Sequence, residues 1–341
     1  MAAKLSNDDL RSLGQMYSEW LSDNCQNRFS ILVTGKTGVG KSRLVNALVG
    51  RQVAQEGRLR TACTDTVTAH QAVIDGIKVV IWDSPGLQDG SCNERLYLAD
   101  MKDKLDQAGF DVMIYCLSMT ETRFHDADKN AIRTMTEYFG QDLWKKAVVA
   151  LNFANRISDP DEEDEVAYFM NEKYSWAKAI DDFFAELKIS CKVRDALPIV
   201  PTGTYKKLRL PTCENWLSEL WISCHCVMSD SSGITWYRMN KDRLTFPGSP
   251  TPPATVAAYN HSCEDENQVL IPENECDTTQ GPNDLGDIPR EIPLNQEQEE
   301  RFWKKIWSAF VNGCRKVKHS VASLGHSVLR LITRAETGVQ G

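Results

Sequence analysis

The chain has 341 residues, enough for one large domain with appendages or for two small ones. Its formal charge of −8 excludes nucleic-acid binding as the main activity, because a phosphate-backbone binder needs a basic excess. Eleven scattered cysteines and the lack of an apolar leader segment in Met1 to Asp9 predict free thiols in a reducing cytoplasm.

Residues 1–27 hold a first amphipathic helix. Leu10, Leu13, Met16, Tyr17, Trp20 and Leu21 recur on one helical face. From residue 28 to 228 the pattern alternates short apolar runs with helix-length segments. The runs are Phe29–Val33, Val67–Ile74, Ile77–Trp82, Phe110–Leu117, Ala147–Asn152 and Leu197–Val200. Asp75-Gly76 between the second and third runs predicts a hairpin turn. The longer spacings elsewhere predict right-handed parallel crossovers. The expected fold is therefore α/β: a three-layer P-loop domain like that of a small GTPase, with a mostly parallel sheet and one antiparallel hairpin.

Gly35-Lys36-Thr37-Gly38-Val39-Gly40-Lys41-Ser42 fits G-x-x-x-x-G-K-[ST] at every fixed position, between a strand-like and a helix-like run. Its glycines let backbone N–H groups converge on a phosphate, and the following helix adds its dipole. Lys41 would reach the β- and γ-phosphates, and Ser42 would ligate Mg²⁺. Asp83-Ser84-Pro85-Gly86 follows the third run, about forty residues on; Asp83 can hold Mg²⁺ through water, and Gly86 N–H can meet the γ-phosphate. Between them Thr61, Thr64, Thr66 and Thr68 offer a hydroxyl that completes the metal shell; the pattern alone leaves the four open.

Further on, Asn152-Phe153-Ala154-Asn155 follows the fifth run, and Thr202-Gly203 the sixth. An acidic run from Asp159 to Glu165 suits a solvated helix start, ahead of a helix over Tyr168 to Leu187. Cys224-His225-Cys226 lacks the spacing of a zinc site. Residues 229–295, rich in Pro, Ser, Thr, Asn and Asp, are expected to form a flexible, disordered linker. Residues 296–334 form a basic amphipathic helix, and 335–341 a disordered tail. Eight Lys/Arg and no Asp or Glu lie between Arg301 and Arg334, leaving the rest of the chain with 31 basic against 47 acidic residues. Three readings of this helix stay open: docking on its own domain, a coiled coil, and peripheral contact of 301–334 with an anionic membrane through Phe302, Trp303, Trp307 and Phe310. No run of about 18 apolar residues is present.

The order of P-loop, threonine loop, D-S-P-G, then Arg123-Phe124-His125-Asp126-Ala127-Asp128, Phe139-Gly140 and Trp144 resembles the septin-related GTPases. Within these it is most similar to the immunity-associated GTPases of animals and the chloroplast import receptor GTPases of plants, over roughly Arg28 to Gly203. The resemblance implies that Thr64 is the switch threonine and metal ligand. It implies GTP and GDP as ligands, homodimerisation through the nucleotide face, and Arg123 reaching across that dimer. A surface pairing of Arg123 with Asp126 or Asp128 is the other reading.

Two departures from the pattern stand out. The guanine-reading N/T-K-x-D motif appears as Asn152-Phe153-Ala154-Asn155; Asn152 can keep its role, whereas the Asn155 amide has one acceptor where a carboxylate has two. Thr202-Gly203 would be the second base-contact loop. Leu87 occupies the place where many small GTPases have a water-orienting glutamine. Expected, then, is a cytoplasmic, Mg²⁺-dependent guanine-nucleotide-binding protein with slow hydrolysis. Lys41, Thr64, Gly86 and Arg123 would carry the chemistry, stimulated by a second copy. The alternative is a non-catalytic, nucleotide-dependent scaffold.

Overall fold

The computed structural model describes residues 7–52, 68–83, 99, 101–103, 109–158, 164–204, 206–247, 288–289 and 291–313. Helix α1 (Asn7–Asn24) leads into strand β1 (Arg28–Gly35) and helix α2 (Lys41–Val49). Strands β2 (Thr68–Ile74) and β3 (Ile77–Asp83) form the hairpin expected at Asp75-Gly76. Both turn residues have positive φ, 49° and 74°, as a two-residue turn matched to strand twist requires. Strand β4 (Val112–Ser118), helix α3 (Asp126–Phe139) and strand β5 (Ala147–Asn152) follow. Helices α4 (Glu165–Glu186) and α5 (Cys191–Ala196) then lead to strand β6 (Ile199–Pro201).

The six strands make one sheet in the order β2-β3-β1-β4-β5-β6. Only the β2–β3 pair is antiparallel. Every residue of β4 and β5 is buried, so both sheet faces are covered, as a parallel sheet between helical layers demands. At the edge, β2 alternates exposed and half-buried residues, with Val73 63% exposed. The acidic segment does start a helix: Asp164 caps α4 by accepting from the N–H groups of Val166 and Ala167. Residues 159–163 lie outside the described set.

The region expected to be a linker is partly domain. Helix α6 (Trp216–Val227) is followed at once by helix α7 (Asp230–Asn240), and strands β7 (Leu244–Thr245) and β8 (Ile292–Pro293) pair in parallel. The polar run at its start caps a helix: Ser229 Oγ accepts from Ser232 N–H. Trp236 is fully buried and stacks on Phe29 at 5.2 Å and on Trp221 at 5.9 Å. Ser232 Oγ donates to Asp111, whose other oxygen accepts from Ser30 N–H in β1. Such a segment shows no periodicity because its core contacts come from a short, almost wholly buried helix.

Helix α8 (Gln296–Gly313) carries out the docking reading. Phe302, Trp303 and Phe310 are buried against α1, α6 and α7, with Phe310 edge-on to Tyr17 at 5.5 Å. These aromatics are part of the core, so they cannot also form a membrane-facing stripe. No described helix is long and apolar enough to cross a membrane. The rest of 296–334, with Cys314 and most of the basic residues, lies outside the described set, as do 335–341.

Candidate nucleotide site

The phosphate loop spans the turn from β1 into α2. Gly35 has φ 136°, and a Cβ there would sit 2.3 Å from the Cys116 carbonyl oxygen of β4, so only glycine fits. Gly40 caps α2 in the left-handed region at φ 88° and brings no side chain between the helix N-terminus and the loop. Lys41 is buried and folds back over the loop: its Nζ donates to the carbonyls of Gly35 at 3.0 Å and Lys36 at 2.9 Å. This holds a cation where phosphate oxygens would lie. Thr37 and Gly38 form the exposed tip, while Val39 is buried.

Lys36 is tied down from the side. Its Nζ sits 2.6 Å from Asp128 Oδ2, on the first turn of α3. Burial raises the Asp128 carboxyl pKa above the usual range, against the opposing pull of Lys36. Asp128 is thus engaged by the phosphate loop. Arg123 is exposed, and among the described residues it forms no ion pair with Asp126 or Asp128, so the surface-pair reading is not realised.

Beside the loop lies a cleft lined by Gly40, Arg43, Asn152, Phe153, Gly203 and Trp216 among others. Asn152, at the end of β5, clamps its two sides together. Its amide nitrogen donates to the Val39 carbonyl, and its Oδ1 accepts from Thr202 Oγ1. The next residue, Phe153, adopts φ 64° in the left-handed region, a conformation that a bulky residue holds only where its surroundings impose it. That twist presents Asn155 from a short 3-10 turn (Ala154–Arg156). Asn155 Oδ1 is buried with no hydrogen-bond partner. It faces Gly203, where a Cβ would come within 3.2 Å of it. A buried acceptor left unmade costs about 1–3 kcal/mol, and an N–H donor from a bound base would relieve it.

Two of the residues expected on the metal side, Ser42 and Asp83, have their backbone positions set by the strand order. Ser42 is in the first turn of α2. Asp83 ends β3, paired in register with Val33 of β1, at the same end of the sheet as the phosphate loop. A hydroxyl and a carboxylate are the hard oxygen donors that Mg²⁺ takes when phosphates and water complete its shell. Among the described residues no three His, Cys, Asp or Glu side chains cluster as a metal site of their own. Thr64, Gly86 and Leu87 lie outside the described residues.

Sequence reasoning missed three features of this site: the Lys36–Asp128 pair, the left-handed Phe153, and Trp216, whose Nε1 donates to Lys207 and which walls the cleft. Asp128 stood in the sequence only as part of the Arg123–Asp128 segment; its neighbours Asp126, Lys129 and Asn130 are polar, so nothing marked it as buried. The Phe139-Gly140…Trp144 cluster is explained by packing. Gly140 ends α3 at φ 77°, and Trp144 is buried between Tyr115 and Phe184 with its Nε1 donating to Thr136.

Comparison with known proteins agrees with this arrangement. Residues 29–184 match the AIG1 family. The translocase of chloroplast 34 homolog of Chlamydomonas reinhardtii is 30% identical over 146 residues, 40% of this chain and 37% of that protein. GTP-binding protein A of Dictyostelium discoideum is 30% identical over 168 residues, 47% of this chain and 37% of that one. The chain thus spans well under half the length of these relatives. Toc33 of Arabidopsis thaliana, in a dimerisation-deficient mutant, shares the fold at TM-score 0.51 and 22% identity, covering 69% of this chain and 93% of that one. A structure of the translocon components atToc33 and psToc159 matches at TM-score 0.52 and 25% identity, over 64% of this chain and 89% of that one; dimerisation is described as important for their GTPase activity. The glycine-rich loop on a mixed sheet and the match of residues 29–184, just under half of the chain, make this segment similar to the AIG1 family.

Proposed function

We propose that this chain is a guanine-nucleotide-binding protein and a slow, Mg²⁺-dependent GTPase that is stimulated when two copies meet through the nucleotide face. One observation carries the reading: the loop closed by Lys41 and the neighbouring cleft, whose Gly203 wall lies against the orphaned Asn155 acceptor, are clamped side by side through Asn152. That spacing suits a phosphate chain and a purine on one ligand. The described dimer dependence of the atToc33 and psToc159 GTPase activity supports the second half.

In this reading the N–H groups of the loop over Gly35 to Ser42 cradle the β-phosphate, and Lys41 leaves its carbonyl partners for the β- and γ-phosphate oxygens. Mg²⁺, held by Ser42 and Thr64 with Asp83 behind a water, would neutralise charge on the same oxygens. Gly86 N–H would contact the γ-phosphate. Water attacks the γ-phosphorus in line, the bond to the β–γ bridging oxygen breaks, and GDP and inorganic phosphate result. Thr202 and Gly203, with Asn152 and Asn155, frame the base. Leu87 leaves the attacking water without a glutamine to orient it, which makes hydrolysis slow in one copy. Exposed and unpaired among the described residues, Arg123 is free to reach a second copy. An arginine supplied in trans is worth about 10³–10⁵ in rate. Leu87 also favours the alternative of a nucleotide-dependent scaffold without turnover.

The test is phosphate release from GTP at rising protein concentration, for the wild type, Lys41→Ala and Arg123→Ala. Specific activity that climbs with concentration, collapses without Arg123 and vanishes without Lys41 is expected. GTP binding with flat, near-zero release would select the scaffold. If Lys41→Ala binds GTP as the wild type does, the nucleotide reading fails.

A further inference from the structure

Resting on the nucleotide-binding reading, we propose that Asn155 relaxes base selection at the purine 2-position, so that the cleft accepts xanthosine and inosine triphosphates at least as well as guanosine triphosphate. The acceptor Oδ1 is buried and unpartnered beside Gly203. Among the described residues, the Asn155 side chain makes no hydrogen bond with either amide atom. The amide is therefore not committed to the fold. Its Oδ1 lies against Gly203, which lines the cleft, and the amide offers one acceptor beside one NH₂ donor.

The base edge that would meet it decides the outcome. Guanine presents two donors side by side, N1–H and the 2-amino group. A carboxylate accepts both, whereas an amide accepts one and opposes its own N–H to the other. A site with mismatched buried polar groups rejects its ligand by far more than a site with a missing methylene does. Xanthine presents N1–H beside a 2-oxo acceptor, which matches Oδ1 and Nδ2 in order. Hypoxanthine presents N1–H beside C2–H, which removes the opposed donor without adding a partner. All three share the 6-oxo group, N1–H and the same sugar and phosphates, so along the edge that would meet Asn155 only the 2-position separates them. Adenine presents an acceptor at N1 and leaves the buried Oδ1 facing a lone pair.

Asn152, Trp216 and Arg43, which also line the cleft, do not restore guanine selectivity. Asn152 is used up by Val39 and Thr202, and Trp216 Nε1 by the Lys207 carbonyl. Arg43 brings a cation, which does not accept a hydrogen bond. Among the described residues lining the cleft there is no carboxylate.

The experiment measures dissociation constants of the full chain for GTP, XTP, ITP and ATP with Mg²⁺, by competition against one fluorescent triphosphate, in the wild type and Asn155→Asp. The wild type is expected to bind XTP and ITP as tightly as GTP or more tightly. Asn155→Asp is expected to shift the GTP-to-XTP ratio toward guanine by about tenfold or more, since the new pair is charge-assisted. Asn155→Ala provides a second reading should the aspartate variant not fold: without the amide, the XTP advantage is expected to disappear. A wild-type preference for GTP over both analogues by about tenfold or more, with binding still abolished by Lys41→Ala, overturns this proposal and leaves the nucleotide reading standing. Binding of no triphosphate overturns both.

Discussion

Lys36 Nζ lies 2.6 Å from Asp128 Oδ2, joining the second position of the phosphate loop to the first turn of α3, five residues beyond Arg123. The two side chains are unequally exposed, 22% for lysine and 4% for aspartate, so the lysine is the partner that can leave. A buried carboxylate without its cation is costly, and breaking such a pair from one side typically costs about 3–5 kcal/mol.

Lys36→Met is therefore expected to destabilise the domain by about 3 kcal/mol near pH 7.5. The Asp128 pKa is already raised by burial, and loss of Lys36 raises it further. A group with a raised folded pKa contributes stability below its unfolded pKa and loses it as pH rises through the folded pKa. The deficit of Lys36→Met relative to wild type should shrink toward pH 5. Urea midpoints at the two pH values check this; a deficit independent of pH would show that Asp128 stays charged without its partner.

His225 gives the opposite slope. It is fully buried in α6, stacked on Trp221 at 5.7 Å and against Phe302 at 5.0 Å, and neither ring nitrogen has a hydrogen-bond partner. Burial lowers its pKa well below 6.5, and the nearby Lys305 cation adds to the effect. The folded state thus refuses a proton that the unfolded state takes. Stability is complete above about pH 6.5 and falls below it by up to about 1.4 kcal/mol per pH unit. His225→Phe keeps a stacked ring, and Gly233 leaves space beside it. The variant should flatten the loss of stability between pH 7 and 5.5, followed by chemical denaturation. An unchanged slope would assign the loss to other groups.

Arg243 should be irreplaceable for stability. It follows α7, yet its guanidinium donates to the carbonyls of Ala47 and Leu48 at the end of α2, to Asn240 Oδ1 and to the Pro289 carbonyl. Burial lowers its pKa to about 10, still charged at neutral pH. A cation at a helix C-terminus is favoured by the dipole, and the planar fork reaches acceptors that one ammonium cannot. Arg243→Lys and Arg243→Ala should both lose about 3 kcal/mol or more. Thermal melts check it; a lysine variant as stable as wild type would refute the fork argument.

Gly313→Ala tests the docking of α8 on α1. A Cβ there would lie 2.4 Å from Trp20 Nε1, and Trp20 is buried against Phe310 at 5.3 Å. Overpacking of this kind costs about 1–3 kcal/mol, although alanine favours a helix over glycine. A lower melting temperature is expected, with a changed near-ultraviolet tryptophan signal. A gain in stability would mean that the helix end moves aside freely.

The sequence by itself determined the six strands, their hairpin and the phosphate loop. These depend on local rules: short apolar runs, a two-residue Asp-Gly turn, and glycines where φ must be positive. It also singled out Asn155, because the chemistry of an amide differs from that of a carboxylate wherever the residue sits. Only the tertiary structure decided that 230–247 and 296–313 are domain rather than linker and surface helix. Their stability comes from partners far along the chain: Trp236 on Phe29, Arg243 on Ala47, Phe310 on Tyr17. A polar, aperiodic segment discloses no such partners, because burial is decided by what covers it. The same holds for Asp128, whose carboxylate is a surface charge in the sequence and a buried anchor of the phosphate loop once α3 packs beside Lys36.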